Sequence, residues 1–231
     1  MIPGWPIDEG ELTGEWTTLA TLAFGQFDVA EGYFANAATS EPGLDRRGQG
    51  AYFIGGLSFY LSSALAWSAL HDRPLPGLTM NEFGIQPDGK GYLRFRAAPA
   101  APTEASAGTI VQNVLAPIVP RIKDATRLSD AAQWRIVADN IASGFLYVGK
   151  HLGLEARGVA IGLELVRDPT YRFFNGHTGY YDVDGQCFLK RGGCCRYYTS
   201  ERGSYCATCI LRPPAEHVPE IRRRFGLPAA G

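Results

Sequence analysis

The chain has 231 residues, 45% of them apolar and 19% charged, with a formal net charge of −1 at neutral pH. That composition supplies one large core, or a core with a small appendage, and excludes a largely disordered chain. The near-zero charge excludes nucleic acid as an expected partner, and without a GxGxxG, Walker, HExxH or GxSxG pattern the chain shows no nicotinamide or flavin site of its own.

Residues 1–15 read as irregular, with Pro3, Gly4 and Pro6. Residues 15–38 read as one helix, because Trp16, Leu19, Ala20, Ala23, Phe27, Ala30 and Phe34 fall mostly at three- and four-residue steps. Gly14, Gly25 and Gly32 weaken that reading. Glu41-Pro-Gly-Leu-Asp45 is a turn. Residues 51–70 carry no charged side chain, a length that would span a membrane. Gly55, Gly56, Ser58, Ser62, Ser63 and Ser68 favour a buried core helix instead, so stable membrane insertion is not expected. Residues 78–97 read as a β-hairpin, with Met80, Phe83 and Ile85 leading in and Tyr92, Leu93 and Phe95 leading out of a turn at Pro87-Asp-Gly-Lys-Gly91.

Residues 97–106, with Pro99 and Pro102, read as a flexible connector. Residues 110–122 read as a helix that Pro117 and Pro120 break. Ser129 then caps the clearest helix in the chain. Its face is Trp134, Val137, Ala138, Ile141, Phe145, Val148 and Leu152, a core stripe rather than a cofactor box. A last helix at 154–166 is closed by Asp168-Pro169. Residues 168–190 are aromatic and glycine-rich, which suggests short strands or a packed loop. Helices with one hairpin, rather than repeated βαβ units, predict an α+β fold: a mainly helical body, a β-hairpin and a C-terminal cysteine-rich loop.

Four of the five cysteines occupy that loop as C-C-x10-C-x2-C: Cys194, Cys195, Cys206 and Cys209. Four thiolates satisfy a four-ligand metal site. The Cys206/Cys209 pair lies on a tight turn that aims two sulfurs at one point. Adjacent side chains in an extended backbone diverge, so the Cys194/Cys195 pair suits a two-metal centre or a bent backbone. A disulfide knot requires an oxidising compartment, and MIPGWPIDEGELTGEW has neither a basic start nor a continuous apolar core, so it reads as no signal peptide. Structural zinc usually shows two C-x2-C knuckles or a histidine partner, and here there is one knuckle. An iron–sulfur cluster is the favoured reading.

Arg191-Gly-Gly-Cys-Cys-Arg-Tyr-Tyr198, followed after the ten-residue spacer by Tyr205-Cys-Ala-Thr-Cys209, resembles the C-terminal signature of the FhuF-like ferric-siderophore reductases. The Arg212-Pro-Pro and Arg222-Arg-Arg tail and the order of upstream elements are also similar, over roughly residues 50–225. The resemblance implies a cytoplasmic protein that holds a [2Fe-2S] cluster on Cys194, Cys195, Cys206 and Cys209. It implies one-electron reduction of a ferric siderophore, of hydroxamate type, with electrons from a ferredoxin or another external donor. It divides the chain into a siderophore-binding body at 1–170 and a cluster-binding region at 171–231. The family often ends its knuckle as Cys-Gly-Asp-Cys-Pro where this chain has Cys206-Ala-Thr-Cys209-Ile, and Cys187 is outside the motif. The rival readings are a [2Fe-2S] redox sensor or electron carrier, and a zinc-stabilised interaction module without enzymatic activity.

From Cys187 onward the chain carries five more basic than acidic side chains, which leaves −6 on the residues before it. Arg191, Arg196 and Arg202 are therefore the candidates for docking an anionic chelate or an acidic donor. Tyr197, Tyr198 and Tyr205 are candidates for packing against a cluster and limiting water, with ordinary loop packing an equal alternative. His71 and His151 read as helix-end residues, His177 and His217 as loop residues, and Cys187 as buried structure.

Overall fold

In the computed structural model, which describes residues 7–88 and 92–228, the chain adopts an α+β fold. Chain order is β1 (Asp8–Glu9), β2 (Thr17–Thr18), α1 (Leu19–Phe24), α2 (Asp28–Ser40), α3 (Arg46–Leu70), β3 (Leu75–Pro76), β4 (Phe83–Pro87) and β5 (Leu93–Ala97). β6 (Pro102–Thr103), α4 (Ala107–Leu115), α5 (Ile118–Thr126), α6 (Asp130–Leu152) and α7 (Glu155–Arg167) follow, then β7 (Gly179–Val183), β8 (Gln186–Lys190) and α8 (His217–Phe225).

The helix expected over 15–38 is two helices. The Thr18 hydroxyl accepts from the Thr21 N–H to start α1, and Gly25 ends it, its N–H bonded to the Thr21 carbonyl. The apolar period continues across this break because both helices bury the same side, which is why spacing alone joined them. Ser129 caps α6 as expected, its hydroxyl accepting from the Ala132 N–H. The proline-broken segment is α4 and α5, with the break at Ala116 and Pro117.

The core is a layer of helices around α3 and α6. α3 has residues around most of its circumference buried, among them Phe53, Ile54, Leu57, Leu61 and Leu65. By length and composition it could cross a membrane, but 61% of its apolar window is buried inside the fold. α4 and α5 cover another side of α3. A four-stranded sheet of order β1-β5-β4-β2 closes one end of the layer, with β1 parallel to β5 and the other pairs antiparallel. The tip of the expected hairpin turn, Gly89 to Gly91, and residues 1–6 lie outside the described residues. The 97–106 connector contributes β6, which pairs with β3. The aromatic stretch after α7 forms the β7–β8 hairpin, turned at Asp184 and Gly185, both with positive φ.

α7 lies close on α6. A Cβ at Gly158 would stand 2.4 Å from the Phe145 carbonyl oxygen and 3.3 Å from the Gly149 Cα. That backbone cannot yield cheaply, so Gly158→Val is expected to cost about 1–3 kcal/mol. In a domain of this size that lowers the thermal midpoint by roughly 2–10 °C, read by circular dichroism.

Candidate functional site

Two aspartates anchor the cysteine loop, one within α6 and one capping α3. Asp139 is fully buried in the middle of α6. Its carboxylate accepts from the N–H of Gly192 at 2.8 Å and of Gly193 at 3.0 Å, and from the Thr178 hydroxyl at 2.7 Å. The Arg191 guanidinium faces it at 3.4 Å. Burial pushes the carboxyl upward, and Arg191, the two N–H groups and Thr178 pull the other way. The Gly-Gly step is steric. A Cβ at Gly193 would sit 2.9 Å from the Arg135 carbonyl carbon, and one at Gly192 would sit 2.4 Å from Asn175 Nδ2. Gly193 lets the loop reach the α6 backbone, and Gly192 lets it pass the Asn175 and Thr178 side chains.

The second anchor is Asp45. Its Oδ1 caps α3 by accepting from the Gly48 N–H at 2.7 Å. The same carboxylate takes Arg196 Nε at 2.9 and 3.0 Å, with Arg196 Nη2 also on Oδ2. Arg196 holds the carboxyl below the usual range. Arg196 has φ +61°, a left-handed conformation that a non-glycine residue adopts only at a cost. This is the bend that follows the adjacent cysteines. Glu201 N–H to the Pro42 carbonyl at 2.7 Å and Arg202 to the Ser40 carbonyl at 2.8 Å continue the seam. Arg196 and Arg202 thus tie the loop to the α2–α3 turn, and of the three candidate arginines Arg191 alone reaches the cysteine sulfurs.

Cys195 Sγ and Cys206 Sγ stand 3.7 Å apart. Thiolates about 2.3 Å from one tetrahedral metal are separated by about 3.8 Å, whereas a disulfide needs about 2.05 Å. Arg191 Nη1 donates to Cys206 Sγ at 3.6 Å. Cys206 and Cys209 form the expected turn, with the Cys209 N–H on the Cys206 carbonyl at 3.1 Å. Among the described residues no three His, Cys, Asp or Glu side chains form a metal-holding group. The arrangement is thus one close sulfur pair, with Cys194 half-buried and Cys209 buried beside it.

Two residues to which the sequence assigned no part in the site fix the Cys206–Cys209 turn. The Thr208 hydroxyl donates to the Leu189 carbonyl on β8 at 2.8 Å. His217, expected in a loop, is buried at the start of α8. Its Nε2 lies 3.1 Å from the carbonyls of Cys209 and Arg212, which can only accept, so Nε2 carries the proton. Nδ1 then accepts from the Tyr181 hydroxyl at 2.8 Å. Cys187 is half-buried on β8 rather than buried, its N–H on Glu155. Tyr198 packs on Tyr205 with centroids 5.4 Å apart.

A hollow of about 370 Å³ opens beside the sulfur pair, lined by Cys195, Cys206, Arg191, Tyr52, Tyr197 and Asn140. A more enclosed cavity of about 280 Å³ by Trp67 and Arg73 touches no cysteine. Burial and the nearby Cys195 raise the Tyr52 hydroxyl, so it stays neutral. No protein-family model and no curated protein matches this chain.

Asp139→Asn turns an amide N–H₂ toward backbone donors and leaves Arg191 without its anion. It is expected to cost about 3–5 kcal/mol, read by denaturant unfolding, while Asp124→Asn on the exposed surface of α5 changes little. The cysteine pair gives a pH test on protein stripped of metal. The Cys195 thiol donating to Cys206, with Arg191 alongside, draws Cys206 down to about 6, while Cys195 is pushed up. The pair thus favours a thiol on Cys195 and a thiolate on Cys206. Iodoacetamide should label Cys206 first at pH 7, and Arg191→Met should shift that labelling to higher pH, both read by peptide mass spectrometry.

Proposed function

We propose that this chain is a [2Fe-2S]-dependent ferric-siderophore reductase of the cytoplasm, acting on hydroxamate-type chelates with electrons from a ferredoxin or similar external donor. The observation that carries the reading is the C-C-x10-C-x2-C loop with the Cys195 and Cys206 sulfurs 3.7 Å apart, a separation two thiolates on one tetrahedral metal would have, and a guanidinium on one of them. Cys195 and Cys206 would share one iron, leaving Cys194 and Cys209 for the other, a division that suits adjacent cysteines whose side chains diverge. Such a centre, when bound, supplies one electron at a time.

The protein's own residues do the rest. Arg191 places positive charge and an N–H donor on Cys206, which raises the reduction potential of whatever the thiolates hold. Asp139 fixes that guanidinium from the opposite side. The hollow gives an acceptor a place against the sulfur pair. The electron converts chelated Fe(III) to Fe(II), which oxygen donors hold far less tightly, and the metal leaves. No acid or base is required in this minimal step.

The test is anaerobic turnover with a chemical reductant, a ferric trihydroxamate and a chromophoric Fe(II) trap. Cys206→Ser is expected to abolish the protein's iron and its activity, while Cys187→Ser leaves both within about twofold of wild type. Iron-loaded wild-type protein that reduces no ferric chelate would point to the sensor or carrier reading. A colourless protein with one bound zinc would point to the interaction module.

A further inference from the structure

The hollow beside Cys195 and Cys206 does not end there. It shares the walls Tyr33, Tyr52 and Gly56 with a second hollow of about 180 Å³ that Tyr60 and Phe95 also line. That one shares Tyr33, Tyr92 and Leu93 with a third, of about 270 Å³, bordered by Asp28, Gly32 and Asn36. The three adjoining hollows lie in a row from the sulfur pair to the β4–β5 hairpin and together make a trough-like surface. Its first segment alone falls within the range of ligand pockets, roughly 300–1,000 Å³.

Three glycines line this trough, Gly32 in α2 and Gly55 and Gly56 in α3. Glycine inside a helix is unfavourable relative to alanine, so each needs a reason. Elsewhere in this protein the reason is contact: Gly158 and Gly193 sit against backbone. Here it is not. A Cβ at Gly56 would meet only Phe95 Cζ at 3.5 Å, and one at Gly55 would meet Asn140 and Ile136 at 3.4 and 3.6 Å, both ordinary contacts. A Cβ at Gly32 would meet nothing within 4 Å. The fold has room for a Cβ at all three positions, and its absence widens the hollows there.

The lining also limits the occupant. Among the described residues Arg191 is the one basic side chain lining the three hollows, with the sulfurs of Cys195 and Cys206 in the first and the carboxyl of Asp28 in the third. The charge of Arg191 already faces Asp139 and Cys206. Tyr33, Tyr52 and Tyr60 line these hollows. Such a surface offers O–H donors and aromatic faces with little net charge.

Resting on the reductase reading, we propose that this trough is the chelate's seat. Gly32, Gly55 and Gly56 set the bulk it admits, and its tyrosine lining, with one already matched cation, selects ferric chelates of oxygen donors that carry no net negative charge. A trianionic ferric tris-catecholate is disfavoured, because no unmatched cation waits for it. The iron of a chelate in the first segment sits against the wall formed by Cys195 and Cys206.

The experiment measures binding apart from electron transfer. Gallium(III) trihydroxamate, which keeps the charge and shape of the ferric complex but cannot be reduced, is titrated into iron-loaded protein by calorimetry. Wild type is expected to bind saturably, and Gly55→Leu and Gly56→Leu to weaken binding at least tenfold. Their iron content, visible spectrum and thermal midpoint should match wild type, and Gly32→Leu should give a smaller loss. A gallium tris-catecholate should bind at least tenfold more weakly than the trihydroxamate. Leucine variants that bind like wild type, or a wild type that binds no gallium trihydroxamate, would overturn the proposal. The two readings fail separately. Glycine-dependent binding without reduction of the iron complex removes the reductase reading and keeps the trough. Reduction with KM unchanged in Gly56→Leu does the reverse.

Discussion

A carboxylate buried in the middle of a core helix sets the geometry of the cysteine loop. Asp139 is inaccessible to solvent, and an isolated charge there would be prohibitively costly. It persists because the loop brings its compensation: the N–H groups of Gly192 and Gly193, the Thr178 hydroxyl and the Arg191 guanidinium. The dependence runs both ways. The loop cannot leave α6 without stranding the charge, and the charge positions Arg191 so that its other face reaches Cys206. Both glycines before the first cysteine follow from the same contact, since a side chain at either would collide with Asn175 or with the α6 backbone.

Asp45 works as the counterpart at the other end of the loop. It starts α3 and holds the left-handed Arg196, so the helix that walls the trough and the bend after the cysteines share one side chain. The loop is thus suspended between the two central helices, with His217 and Thr208 fixing its second cysteine pair to the β7–β8 hairpin and α8. The proposed redox site would gain from such support, because small changes in sulfur environment alter the potential of metals held by thiolates.

The periodic helices and the hairpin were legible in the sequence because burial imposes a repeat on them. α6 and α3 announce themselves through their apolar spacing and charge-free length. The break at Gly25 was hidden because the buried side continues across it. The cysteines were legible as a set because four of five fall within sixteen residues. Asp139, Asp45 and His217 were not. Each is a single polar residue whose role depends on a partner 36 to 151 positions away, and local spacing has no access to such pairs. The arginines show the same limit. Sequence proximity grouped Arg191, Arg196 and Arg202 as one docking set, whereas Asp139 and Asp45 divide them between the sulfur pair and the loop's anchor.

The central claim is that the four cysteines hold a two-iron centre. The most direct measurement is the iron and acid-labile sulfide content of anaerobically purified protein, taken with its visible spectrum before and after dithionite. A two-iron centre gives two irons and two sulfides per chain, with visible bands that bleach on reduction. A colourless protein with one zinc per chain, or no metal at all, would contradict the claim.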